Sequence, residues 1–158
     1  MSGNGIIKVA DRIVGTRHAD TLRGDAGVDI LMGRGGDDRL HGGPGNDLLH
    51  GGPGRDLLHG GAGDDAFVFG PSAFSNRPDV ITDFERGDVI SLQEIDARPL
   101  SRGDDAFRFI GDDDFGGRAG ELRYADGRLS GDLDGDGLAD FAIRLRGHPE
   151  LRESDLFL

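Results

Sequence analysis

Residues 15 to 68 are six copies of one nine-residue unit in unbroken register, starting at Gly15, Gly24, Gly33, Gly42, Gly51 and Gly60. Position 1 is always Gly. Position 6 is always Asp (Asp20, Asp29, Asp38, Asp47, Asp56, Asp65), and position 8 is always large and apolar (Leu22, Leu31, Leu40, Leu49, Leu58, Phe67). The best copies read GGPGNDLLH, GGPGRDLLH and GGAGDDAFV. A period this short restricts the chain to a solenoid, because one unit is a turn plus a very short strand and cannot bury its apolar side chain alone. The glycine-rich half suits positive φ and close approach of neighbouring backbone. The second half alternates, so the position-8 side chain points in and its neighbours point out. With two units to a turn, units n and n+2 stack at the parallel-strand spacing of about 4.8 Å.

Stacking places Asp20, Asp38 and Asp56 along one edge and Asp29, Asp47 and Asp65 along the other. Carboxylates that close repel, and the repeat supplies no regular basic partner. A hard divalent cation between stacked turns removes the repulsion; calcium takes about six to eight oxygens at about 2.3–2.6 Å and accepts carbonyls as readily as carboxylates. Calcium is therefore expected between Asp20/Asp38, Asp29/Asp47, Asp38/Asp56 and Asp47/Asp65, at least four ions, with carbonyls from positions 1 to 4 completing each shell. The candidate carbonyls are those of Gly24, Gly27, Gly33, Gly36, Gly42, Gly43, Gly45, Gly51, Gly52, Gly54, Gly60, Gly61 and Gly63. The pattern is identified as the calcium-binding nonapeptide of RTX proteins, a parallel β-helix repeat. The first units are degraded: Gly15-Thr16-Arg17-His18 lacks Gly at positions 2 and 4, and Asp25 stands at position 2 of the next. The competing reading, a flexible Gly/Asp-rich linker, does not account for the in-phase Asp and apolar residues.

Thirty acidic against 18 basic residues give a net charge of −12. That balance disfavours nucleic acid and anionic membranes as partners and favours cations. With 35% apolar residues and 29 glycines the composition approaches that of disordered chains, so the metal-free chain is expected to be largely unfolded, with calcium supplying the missing folding free energy. There is no cysteine, which leaves metal as the available staple. The opening MSGNGIIKVADRIVG has no apolar run long enough for a Sec-type signal or a membrane span, so neither is expected.

Residues 1–14 are expected to cap the roll, with Ile6, Ile7, Val9, Ile13 and Val14 covering its end as a strand or a helix; residues 15–69 form the roll and 70–158 a β-rich region that continues or caps it, an all-β chain throughout. Short apolar strands are expected at 80–84, 89–92, 107–110, 121–124, 129–133 and 141–145, around Phe74, Phe84, Phe107, Phe109 and Phe141. The blocks DVITDFERGDVISL, FRFIG, GELRYADGRLSGDLDGDGLADFAIRL and the terminal DLFL together resemble the C-terminal domain of serralysin-type secreted metalloproteases. That resemblance implies several calcium ions, secretion, and an uncleaved type I export signal at Asp155, Leu156, Phe157 and Leu158, read by a type I transporter. It implies no proteolysis, because none of the five histidines has the H-E-x-x-H spacing. The alternative reading of 155–158, a last β-strand packing on the core, is compatible with an export signal, because a transporter would read the segment before folding.

Further acidic and histidine clusters stand outside the repeat. Asp132, Asp134, Asp136, Gly137 and Asp140 match the first part of an EF-hand loop, but Ile143 stands where the bidentate Glu belongs; the alternative is a plain Gly/Asp turn between strands. Asp79, Asp83 and Asp88 follow the last unit and either cap a fifth calcium below Asp65, Asp88 being the candidate that the resemblance favours, or are solvated turn residues. Asp112 to Asp114 read as a solvated run. His41 and His59 at position 9 would stack on one outer face, with His50 on the opposite sheet, either as a zinc or pH-sensing pair or as plain outward strand residues. The function expected is a non-enzymatic calcium-binding module that folds after export. The rival readings are a secreted module binding a polysaccharide or protein partner through outer sheets bearing Arg23, Arg39 and the histidines, as in repeat modules of secreted epimerases, or the detached C-terminal part of a secreted enzyme.

Overall fold

A computed structural model describes residues 11–71, 77–97 and 106–158. The architecture is all-β. Strands β1 (Arg12–Val14), β3 (Ile30–Met32), β5 (Leu48–His50), β7 (Ala66–Val68), β9 (Val89–Ser91) and β14 (Leu156–Phe157) form one six-stranded sheet in that order. The second sheet has eight strands in the order β10 (Arg108–Phe109), β11 (Glu121–Ala125), β12 (Arg128–Asp132), β13 (Phe141–Leu145), β8 (Asp79–Ile81), β6 (Leu57–Ala62), β4 (Arg39–Pro44) and β2 (Thr21–Arg23). Consecutive units alternate between the sheets, and every second unit pairs in parallel: Leu22↔Leu40↔Leu58 in one sheet, Leu31↔Leu49↔Phe67 in the other. Two nonapeptides per turn is thus the geometry found.

The position-8 side chains fill the space between the sheets. Leu31, Leu40, Leu49, Leu58 and Phe67 are buried in one cluster, with Leu22 and Ile13 packed against its open end. Each rung adds one large apolar side chain per sheet, and no unit could bury it without its neighbours. Phe84, Phe107 and Phe141 are buried in the same cluster and Phe109 packs against it; Phe74 lies outside the described residues, as do Ile6, Ile7 and Val9.

The rungs extend beyond the six units evident in sequence. Of the strand and helix left open for residues 1–14, Arg12–Val14 is a strand: β1 pairs with β3 with Ile13 opposite Leu31, which makes Ile13 a position-8 residue and Asp11 a position-6 residue of an earlier unit. At the other end β8 and β9 stack on β6 and β7, with Ile81 opposite Leu58 and Ile90 opposite Phe67. The nine-residue phase does not stop after Phe69 but resumes as Asp79-Val80-Ile81 and Asp88-Val89-Ile90 after an offset of five residues, the partners here being 23 rather than 18 apart. Beyond β8 the eight-stranded sheet changes character: β13 joins β8 in parallel, then β12 and β11 follow antiparallel. The terminal residues form the last strand of the other sheet, β14 pairing with β9 through Leu156↔Ile90.

Candidate metal centre

The turns between strands stack along the two edges of the roll, and the position-6 aspartate is the residue on which each turn closes. Its main chain is fully used: the N–H donates to the Oδ1 of the aspartate on the next rung, and the carbonyl accepts from the position-7 N–H there. The Oδ1 bonds run Asp11→Asp29 (2.9 Å), Asp20→Asp38 (2.7 Å), Asp29→Asp47 (2.8 Å), Asp38→Asp56 (2.9 Å) and Asp47→Asp65 (2.8 Å). They continue as Asp56→Asp79 (2.7 Å) and Asp65→Asp88 (2.9 Å). The carboxylates therefore do not merely face one another; one oxygen of each is committed to the main chain of the rung before.

The second oxygen divides the units into two kinds. In the degraded units it is satisfied by the protein: Asp20 Oδ2 accepts the Thr16 N–H (2.6 Å) and hydroxyl (2.8 Å), and Asp29 Oδ2 accepts the Asp25 N–H (3.0 Å). Asp88 Oδ2 likewise accepts the Glu85 N–H (2.8 Å). In the four best units, Asp38, Asp47, Asp56 and Asp65, Oδ2 is buried with no hydrogen-bond partner among the described residues. An orphaned buried carboxylate oxygen costs several kcal/mol, roughly 1–3 even for an uncharged group and more for an ion.

Main-chain oxygens surround these orphans. A Cβ built on Gly42 would run into Asp47 Oδ2 and lie 2.6 Å from the Gly60 carbonyl; one on Gly33 would meet Asp38 Oδ2 and lie 2.6 Å from the Gly51 carbonyl. Position-1 carbonyls thus point back toward the preceding rung. Position-2 and position-4 carbonyls point forward: a Cβ on Gly61 or Gly63 would strike the carbonyl of Gly43 or Gly45, and one on Gly54 that of Gly36. Gly43, Gly45, Gly52, Gly54, Gly61 and Gly63 also hold positive φ between +93° and +150°, so glycine is required there by backbone as well as by space. Position-3 carbonyls are already engaged, accepting the position-4 N–H of the rung before (Gly27→Pro44 2.9 Å, Gly36→Pro53 3.0 Å, Gly45→Ala62 2.8 Å). Carbonyls of positions 1, 2 and 4 and an orphan carboxylate oxygen thus face the slot between stacked turns. That donor set fits calcium, which takes oxygen ligands from flexible turns.

Burial pushes these carboxyls up. Desolvation is the leading cause at each: Asp56 and Asp65 rise to about 6 and Asp79 to about 7, and Asp38, Asp47 and Asp88 move in the same direction. Asp20 is held below the usual range by its bonds to Thr16. A carboxyl that the fold dehydrates must take a proton or a cation.

Outside the ladder the picture is mixed. Asp132, at the end of β12, and Asp134 and Asp136, in the loop that follows, bring one oxygen each within 4.8 Å of one another. Asp132 there accepts the N–H groups of Gly135 (2.6 Å) and Gly137 (2.9 Å), while Asp140 stands apart and accepts the Leu133 N–H (2.6 Å). Asp83 is not a ladder residue; its carboxylate accepts the Gly60 and Gly61 N–H groups (3.1 and 2.9 Å). His41 and His59 stack with ring centroids 4.3 Å apart, and His59 Nδ1 lies 3.0 Å from both Thr82 Oγ1 and Asp83 Oδ2. Asp155 caps a short 3₁₀ turn by accepting the Arg152 N–H (2.9 Å), and Leu156 is buried in β14. Asp11 was hidden in sequence because its unit has none of the repeat's glycines; the Asp-x-Ile spacing of Asp11/Ile13, Asp79/Ile81 and Asp88/Ile90 was the signal that could have found all three.

Two overlapping stretches, 10–40 and 33–67, match the family of RTX calcium-binding nonapeptide repeats. Among curated proteins none matches significantly. Among solved structures the chain is similar to the AlgE6R3 subunit of the Azotobacter vinelandii mannuronan C5-epimerase, with 31% identity, a TM-score of 0.62, and 90% of this chain aligned to 79% of that one. It is similar also to the AlgE6R2 subunit of the same epimerase, with 27% identity, a TM-score of 0.64, and 91% of this chain aligned to 90% of that one.

Proposed function

From the premise that the chain belongs to the RTX calcium-binding nonapeptide-repeat family, we propose that it is a calcium-folded β-roll module of a secreted protein, carrying no catalysis of its own. The observation that carries this reading is the set of four buried Oδ2 atoms of Asp38, Asp47, Asp56 and Asp65 without a hydrogen-bond partner among the described residues, those of Asp38 and Asp47 facing carbonyls of the next rung. Where calcium is submicromolar, sites of sensor-like or extracellular affinity stay empty and the stacked turns do not close; at millimolar calcium they fill and the roll forms. The test is far-UV circular dichroism of the whole chain during a calcium titration. A coil-to-β transition is expected, and an already folded, unchanged spectrum in chelator refutes it.

The type I export reading rests on the sequence resemblance and on Asp155 to Leu158. In the folded chain Leu156 and Phe157 pair with β9, and the Leu92 N–H donates to the Phe157 carbonyl (2.8 Å), so a transporter would have to engage this segment before folding. A secretion assay comparing the full chain with one lacking 155–158 tests it; undiminished secretion of the shortened chain removes the signal from these residues.

A second role is favoured by the two solved neighbours, both named as subunits of a mannuronan C5-epimerase. In that role the chain is a repeat module accompanying the catalytic part of a secreted polysaccharide-modifying enzyme. Sequencing the transcript or gene around the chain for a catalytic segment tests this directly.

A further inference from the structure

The outer face of the six-stranded sheet carries no charge on its four central strands. Alternation turns positions 7 and 9 outward, and register builds them into two columns across the sheet. The position-7 column runs Arg12, Ile30, Leu48, Ala66, Val89, and Asp155 closes it, because Leu156 stands opposite Ile90. The position-9 column runs Val14, Met32, His50, Val68, Ser91, Phe157. The eight central residues are half-buried, while Val14 and Phe157 at the two ends are 38% and 49% exposed. The core needs only position 8. The same outward positions of the other sheet hold Thr21, Arg23 and Arg39, so the repeat tolerates polar and charged residues there. An uncharged face in a chain of net charge −12 therefore has no cause inside the fold.

The columns differ from end to end. Strands β3 and β5 bring the larger side chains, Ile30, Met32, Leu48 and His50; β7 and β9 bring Ala66, Val68, Val89 and Ser91. A second copy turned over about an axis parallel to the strands, between β5 and β7, lays the first strand on the sixth, the second on the fifth and the third on the fourth. Leu48 of one copy then meets Ala66 of the other, Ile30 meets Val89, Met32 meets Ser91 and His50 meets Val68. At the ends Val14 meets Phe157, and the exposed Arg12 meets Asp155, a charge of opposite sign. Every contact occurs twice, as a two-fold axis requires. An axis across the strands would lay each strand on its own copy, with Leu48 on His50 and Arg12 on Val14, large on large.

We propose that this face is an interface between two copies of the chain, packed sheet on sheet about the axis parallel to the strands. Facing sheets in folded proteins pack in this aligned way, about 10 Å apart. Five strand spacings by three residues give a flat footprint of about 24 by 10 Å, well below the roughly 800 Å² per partner of a standard interface, so the pair is weak and dissociates on the order of 0.1 mM. The opposite face does not pair in the same manner, because its outward columns carry the exposed Arg23, Arg39, Arg144 and Arg146, like charges that repel a copy of themselves. Assembly therefore closes at two chains. The interface rests on the calcium-folded reading above, since the columns exist only when the rungs are stacked.

The experiment is sedimentation equilibrium of the calcium-loaded chain, its fold first verified by circular dichroism, from about 10 µM to 1 mM. A monomer–dimer equilibrium is expected. Leu48→Glu, which puts a charge at the centre of the face, is expected to weaken it at least tenfold without changing calcium-induced folding. Ala66→Leu, which sets large on large, is expected to weaken it about tenfold, and Leu48→Ala/Ala66→Leu, which exchanges the two sizes, to restore it. Cross-linking reads the axis independently, because the native chain has no cysteine. An equal mixture of Val14→Cys and Phe157→Cys chains is expected to form a disulfide-linked pair in air, and neither chain alone, since like positions lie about five strand spacings apart in the pair. A folded wild type that stays monomeric to 1 mM, association that Leu48→Glu leaves unchanged, or cross-linking of either single variant as fast as of the mixture would each overturn the interface. A chain that stays unfolded in saturating calcium would instead overturn the reading on which it depends.

Discussion

Asp47 is held by one oxygen and faces the slot with the other: Oδ1 accepts the Asp29 N–H (2.8 Å), while Oδ2 is buried without a partner among the described residues. Asn in its place separates the two roles. Its Oδ1 can keep the ladder bond, and its Nδ2 can donate to the carbonyls that line the slot, so the cost of an orphaned buried charge disappears. In chelator, Asp47→Asn should therefore be more stable than the native chain by about 1–3 kcal/mol. In saturating calcium the order should reverse, because a lost site at a hundredfold excess over its dissociation constant removes about 2.7 kcal/mol. The β-content by circular dichroism in chelator and urea melts in saturating calcium check this, and an order of the two chains that is the same in both contradicts it. Asp47→Ala, which also breaks the ladder bond, should be the less stable variant in either condition. The same reasoning explains why the first two units look degraded: Thr16 and Asp25 at position 2 let the turn satisfy its own aspartate through a main-chain N–H, which a cation-dependent turn does not do.

A rung stands or falls with its inward side chain. Leu58 of β6 is fully buried between Leu40 and Ile81 of the neighbouring rungs. Leu58→Ala should cost the calcium-loaded chain about 2–5 kcal/mol, against about 0.5 kcal/mol or less for the exposed Arg55→Ala in the adjoining turn, as read by denaturant melts at fixed calcium. Periodicity alone made residues 15–68 legible, down to the partner of every strand, because in a roll the register follows from the period. The rungs carrying Asp11, Asp79 and Asp88 were less legible for a physical reason: their turns lack the glycines, and the five extra residues before Asp79 break the phase while leaving the Asp-x-Ile core intact. The short strands after residue 79 could be located from their apolar runs, but not their pairing. That β13 lies parallel on β8, with β12 and β11 folded back antiparallel beyond it, depends on long-range contacts that no local pattern encodes. Glycines at positions 1, 2 and 4 made the carbonyls of positions 1 to 4 candidate ligands, whereas the engagement of the position-3 carbonyls in hydrogen bonds between rungs needed the rungs in place.

For the whole molecule the carboxylate stacks set the response to pH, and they set it in opposite directions with and without metal. Without metal the relevant groups are Asp56 and Asp65, raised to about 6, and Asp79, raised to about 7, each mainly by desolvation. An acid whose folded value lies above its unfolded one, near 3.8, binds more protons when folded, so its contribution to stability is present below the unfolded value and is lost as pH climbs through 6 to 7. The growing repulsion within a chain of net charge −12 acts in the same sense. The metal-free chain should therefore be more folded at pH 5 than at pH 8. With calcium saturating, the cation must displace those same protons, and ligands bind it only when ionised, so stability should rise from pH 5 to pH 8. Circular dichroism reads the residual β-content in chelator and the thermal midpoint in calcium, each at both pH values. The expectation is that the pH slope changes sign between the two conditions. A metal-free roll that gains stability with rising pH would mean that the stacked aspartates are not dehydrated in the fold, and the cation slots would lose their physical basis.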